Sequence, residues 1–147
     1  MTPTLFPLSL RLHYPTCVDV KIDENTSTPH GKLGVTQSVF AAHNRDNSLD
    51  WRLQLDLNFW AGDPEKPTVS GHIIYVGYFE LPSDMKDEIK PKFVSSNGAG
   101  ILYAATRELI LTITSRVPNR LVTLPPTSFA GLTVKPVGGE VAVANEI

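Results

Sequence analysis

Five apolar residues, Trp51, Leu53, Leu55, Leu57 and Phe59, alternate without a break with Arg52, Gln54, Asp56 and Asn58. In an extended chain successive side chains point to opposite sides, so this register gathers all five on one face and leaves the four polar side chains on the other. The segment therefore reads as a half-buried strand with a core face. That face needs cover, and the rest of the chain must supply it.

Other extended runs surround this one. Leu8, Leu10 and Leu12, then Val18, Val20 and Ile22, keep a period of two on either side of Pro15, which predicts a kinked or edge strand because proline cannot donate to a central ladder. The polar stretch Glu24 to Lys32, with Pro29 and Gly31, reads as a crossover to a further extended run, Leu33 to Ala42, and His43 to Asp50 turns the chain. After Gly62 to Pro67 the run TVSGHIIYVGYFEL is rich in β-branched and aromatic residues, suiting a central strand paired back in a hairpin.

Helical patterns follow only after these strands. Ser83 is placed to cap a short helix with Met85 and Ile89 four apart, and Pro91 to stop it. A longer helix is predicted from near Gly100 to Pro118, with so broad an apolar band that its own sheet and a second subunit would both be needed to cover it. Four strands followed by two helices, with no helix between strands, predict an α+β fold with an antiparallel sheet and both helices on one face. A single domain is expected over 1–133. The residues 134–147, with Gly138, Gly139 and the ending EVAVANEI, are expected to form a flexible C-terminal tail.

Bulk properties narrow the function. With 41% hydrophobic residues in 147, a real core is available; a net charge of −2 with scattered Lys and Arg gives no basic field for nucleic acid. The single cysteine, Cys17, precludes an intrachain disulfide, and no apolar run reaches membrane-spanning length, so a soluble cytoplasmic protein is expected. His13, His30, His43 and His72 lack metal-ligand spacing, and we expect neither a metal site nor a cofactor. Gly98 and Gly100 precede a helix, but Tyr103 stands where the dinucleotide fingerprint needs its third glycine. Nucleophile-elbow and phosphate-loop motifs are lacking. No enzyme is expected.

The stretch Ile101 to Phe129, ILYAATRELILTITSRVPNRLVTLPPTSF, carries a more specific signal. Ile101, Leu102, Tyr103, Ala105, Arg107 and Glu108, then Ile110, Ser115 and Arg116, followed by Leu124, Pro126 and Phe129, resemble the helix and following segment of the SecB family of export chaperones, with Ser128 in place of an asparagine. The match extends over Trp51 to Leu132, through a turn containing Glu65 and a strand ending Gly77, Tyr78, Phe79; the first fifty residues agree by strand pattern. The resemblance implies a four-stranded antiparallel Greek-key sheet backed by the long helix, in a homotetramer built as a dimer of dimers. It also implies an ATP-independent holdase that binds unfolded polypeptide clients and hands them to the Sec motor ATPase.

Site residues follow from that resemblance as expectations. Clients would meet Leu33, Val35, Leu53, Ile101 and Leu102; Asp19, Asp23, Glu24 and Glu65 would dock a partner; and Tyr103, Arg107, Glu108 and Leu111 would lie between subunits. The chain departs from the family in three places: Cys17 to Lys21 keeps Asp19 as its acidic residue, Glu24 to Lys32 lacks aromatics, and Pro136, Gly138 and Gly139 interrupt the place of a second long helix. Those departures suit a divergent member, and the alternative function is that of a dedicated SecB-like chaperone or adaptor for one partner such as a cognate antitoxin.

Overall fold

The alternating run becomes β3, Asp50–Gly62, and its two faces separate as the pattern requires. Trp51, Leu53, Leu55, Leu57, Phe59 and Ala61 are buried, whereas Arg52 and Asn58 are exposed. A computed structural model describes residues 8–23, 31–129, 133–137 and 140–146, the last two stretches by their backbone. Among these, β1 is Ser9–Ile22, β2 Leu33–His43, β4 Pro67–Glu80, α1 Lys90–Thr114, β5 Thr133–Val137 and β6 Glu140–Glu146.

All pairings are antiparallel, in the order β1-β4-β3-β2-β6-β5. β2, β3 and β4 form a meander, and β1 lies beside β4, so the first four strands make the expected Greek key. Helix α1 covers one face. It meets the sheet closely where glycine allows: a Cβ on Gly98 would stand 2.7 Å from Leu53 Cδ2, and one on Gly77 would stand 2.8 Å from Leu102 Cδ2.

Three features differ from the sequence reading. The segment expected as a short helix is a pair of turns, closed by Met85 N–H to Pro82 O and Ile89 N–H to Lys86 O. Pro91 does not end a helix; it lies in the first turn of α1, where its missing N–H would have no intrahelical partner anyway. The long helix therefore starts ten residues before Gly100, at Lys90. Finally, the backbone of Thr133–Val137 and Glu140–Glu146 forms a hairpin that extends the sheet beyond β2, in residues for which a flexible tail was expected.

The kink at Pro15 is present as an irregular ladder. Register shifts fall between Leu10 and Leu12 and between Pro15 and Cys17, so Arg11 and Thr16 are each an extra residue opposite β4. The first shift splits the run of leucines: Leu10 pairs with Phe79 on the covered face, while Leu12 pairs with Tyr78 on the opposite one.

Candidate functional site

The face of the sheet away from α1 is built from rows that cross four strands. Leu12, Tyr78, Arg52 and Ala42 form one row; Tyr14, Val76, Gln54 and Phe40 the next; then Cys17, Ile74, Asp56 and Ser38. Asp19, His72, Asn58 and Thr36 follow, and Lys21, Ser70, Trp60 and Gly34 close the series. Trp60 lies flat across Gly34, whose Cβ would come 2.1 Å from the indole. Only a residue without a side chain lets the ring settle there.

Two clefts lie on this face. The one at the Trp60 end is ≈ 490 Å³ and includes Asp19, Lys21 and His72. His72 Nε2 there sits 2.6 Å from Asp56 Oδ1. The other, ≈ 560 Å³, includes Leu12, Tyr14, Arg52 and Tyr78. Tyr14 and Tyr78 stack with centroids 6.3 Å apart and oxygens at 3.5 Å. The hydrogen bond with Tyr14, and then the neighbouring Arg52, hold the Tyr78 phenol below its ordinary pKa, while the same bond with Tyr78 raises that of Tyr14. On the covered face, burial pushes the Tyr75 phenol up, and its oxygen is 2.8 Å from His13 Nδ1.

The exposed apolar side chains concentrate on one strand. Leu10, Leu12, Tyr14 and Val18 all belong to β1, at 36%, 55%, 38% and 46% exposure. Along its outer side β1 pairs with no other strand among the described residues. An apolar strand with an open ladder can take up an extended polypeptide through main-chain hydrogen bonds and side-chain pockets. Sequence reasoning passed over these residues. The edge position marked by Pro15 was the available signal.

The expected site residues divide. Val35, Leu53 and Leu102 are buried at 5%, 0% and 0% exposure and belong to the core between α1 and the sheet. Leu33 is half-buried against the core, and Ile101 is exposed. Ile101 heads a solvent-facing stripe on α1 that continues through Ala104, Glu108 and Thr112. Tyr103 is buried within its own chain: its hydroxyl donates to Pro125 O, and its ring meets Phe129 edge-on at 5.7 Å. Arg107 and Leu111 are half-buried and Glu108 is exposed; neither Arg107 nor Glu108 makes an ion pair among the described residues.

Of the docking candidates, Asp19, Asp23 and Glu65 come to the same end of the sheet. Asp19 pairs with His72, Asp23 N–H donates to Thr68 O, and Glu65 lies in the turn between β3 and β4. Glu24 lies outside the described residues. Among the described residues no group of three or more His, Cys, Asp or Glu could hold a metal ion, and no helix is long and apolar enough to cross a membrane.

The architecture has a counterpart among solved structures. The Mycobacterium tuberculosis SecB-like chaperone, in complex with a ChAD peptide from the HigA1 antitoxin, superposes with a TM-score of 0.67 at 11% identity, over 82% of this chain and 90% of that one. This chain has a SecB-like fold. A Streptococcus agalactiae protein of unknown function matches with a TM-score of 0.47 at 18% identity, over 84% of this chain and all of the other. No family model matches the sequence, and no curated protein matches it. The SecB-like likeness thus lies in the Greek key and its covering helix.

Proposed function

We propose that this SecB-like chain is an ATP-independent holdase that binds extended, apolar segments of unfolded polypeptides. The observation that carries the reading is the apolar edge strand: Leu10, Leu12, Tyr14 and Val18 stand exposed on β1, whose outer ladder is open among the described residues. Each apolar side chain withdrawn from water there contributes at roughly 25 cal/mol per Å², against the cost of ordering the client. Ile101, exposed on α1, and Leu33, half-buried on β2, are further client contacts in the same proposal. The assembly proposed is a homotetramer, a dimer of dimers, with Arg107, Glu108 and Leu111 between subunits. In its wider form the reading adds handover to the Sec motor ATPase, with Asp19, Asp23 and Glu65 as the docking end. Glu24 belongs to the same proposal.

The test is light scattering from a chemically denatured client diluted into buffer without nucleotide. Stoichiometric protein slows aggregation if the reading holds; unchanged aggregation across several unrelated clients removes it. A dedicated function, service to one partner such as an antitoxin, is favoured by the antitoxin peptide in the M. tuberculosis complex. Co-purification from the native cell separates the two, because a spectrum of precursors supports the general role and one small protein the dedicated one.

A further inference from the structure

Leu12 reaches the uncovered face of the sheet because Arg11 bulges out of the β1–β4 ladder. Bulges re-aim side chains, and this one sets Leu12 in line with Tyr78 and Arg52 across three strands. Together with Tyr14 these residues line the ≈ 560 Å³ cleft, with Ala42 and Trp51 supplying further apolar wall.

The charges in this cleft are unequally satisfied. Arg11 is engaged by Glu80 and lies 3.8 Å from Asp50, so its charge is already answered. Arg52 makes no ion pair among the described residues. Its Nη2 donates to Gln54 Oε1 at 3.3 Å, and Arg52 stands directly across from Tyr78 in the β3–β4 ladder. The Tyr14 and Tyr78 hydroxyls lie 3.5 Å apart, and either can donate to the other, so the pair can turn one O–H toward an incoming acceptor. The cleft thus presents a guanidinium without an ion pair among the described residues and a pair of phenol hydroxyls beside exposed Leu12.

We propose that this cleft binds an acidic, leucine-rich segment of a partner protein, with one Asp or Glu carboxylate held by Arg52 and Tyr78 and the adjoining apolar side chain packed on Leu12. A wholly apolar segment would strip water from Arg52 with nothing to replace it, and a basic one would be repelled. A dianionic phosphate calls for more than one unpaired cation, whereas Asp50 and Glu80 are both turned to Arg11. A carboxylate matches Arg52 in charge and in planar geometry. The inference concerns the face opposite α1 and does not rest on the holdase reading.

Fluorescence anisotropy with two labelled twelve-residue peptides, one alternating glutamate with leucine and the other glutamine with leucine, tests it. The wild-type chain should bind the glutamate peptide at least about fivefold more tightly than the glutamine peptide, as charge-assisted bonds exceed neutral ones. Arg52→Gln should abolish that preference, Tyr78→Phe should reduce it about twofold or more, and Lys21→Gln, in the other cleft, should leave it intact. Equal binding of both peptides, no binding of the glutamate peptide, a preference for a lysine–leucine peptide, or a preference that survives Arg52→Gln would each overturn the proposal.

Discussion

Arg120 Nε donates a hydrogen bond to the main-chain oxygen of Asp23 at 2.7 Å, across 97 positions of sequence. The same guanidinium donates through Nη1 to Asn119 O at 2.8 Å, and Arg120 is fully buried. It thereby ties the end of β1 to the chain leaving α1. Asn119 takes the positive φ of 61° that turns the backbone so that this reach is possible. Replacing Arg120 with methionine keeps much of the volume and leaves the Asp23 and Asn119 oxygens without these donors. The expected loss is about 2–3 kcal/mol, read as a fall in thermal midpoint of roughly 5–10 °C by circular dichroism.

Gln37 lies on the covered face of β2, opposite Leu57, at 4% exposure. Neither its amide nitrogen nor its amide oxygen has a hydrogen-bond partner among the described residues. An unsatisfied buried amide costs about 1–3 kcal/mol, so Gln37→Leu, close in volume, should raise stability by about 1–2 kcal/mol in urea unfolding. A drop in stability would mean that the amide is in fact engaged.

The glycines at the helix–sheet contact separate two effects. A Cβ on Gly77 would come 2.8 Å from both Leu102 Cδ2 and Phe79 Cε2, within the core, so Gly77→Ala should cost about 1–3 kcal/mol through overpacking. Gly100 has nothing within 4 Å of the corresponding position. There alanine only restricts the unfolded chain and favours the helix, and Gly100→Ala should gain about 0.5–1 kcal/mol. Opposite signs in the same unfolding assay are the expected result.

How far such contacts could be read in the sequence varies by element. Trp51 to Phe59 announced β3 because alternation is a local property of strands, and Pro15 announced the irregular edge. The first ten residues of α1 did not announce themselves, since Ser95, Ser96, Asn97 and Gly98 are weak helix formers; packing of Val94, Gly98 and Ala99 into the core is a tertiary cause. The site was less legible. Alternation shows that Leu53 has a face, but not that α1 closes over it, and the bulge at Arg11 that separates Leu10 from Leu12 depends on β4. Val141 and Val143 do carry a period of two, outweighed in the sequence reading by the neighbouring glycines.

The start of α1 should be acid-sensitive. Lys90 is buried at 6% exposure, and its Nζ stands 2.6 Å from Asp87 Oδ1, a hydrogen bond that holds the Asp87 carboxyl below its ordinary pKa. A folded-state pKa below the unfolded one gives a contribution that is complete above the unfolded value and is lost as pH falls through the folded value. Stability should therefore decline below about pH 4, where ordinary aspartates begin to protonate. Asp87→Asn should show a shallower acid limb in pH-dependent thermal melts, and an identical limb would assign the acid sensitivity elsewhere.

If β1 is the surface on which unfolded chains are held, charge placed there should weaken holding while sparing the fold. Leu12→Lys with Val18→Lys alters two exposed side chains, so the thermal midpoint should stay within about 2 °C of wild type. Suppression of client aggregation should fall severalfold. Retained suppression would shift the client surface away from this strand.

Hydrogen–deuterium exchange of the wild-type protein with and without a stoichiometric, permanently unfolded polypeptide, in nucleotide-free buffer, tests the central claim most directly. The amides of Ser9–Ile22 should exchange more slowly when the client is present, with a smaller effect around Ile101 on α1. Client binding that leaves exchange along β1 unchanged, or no client binding at all, would contradict the account.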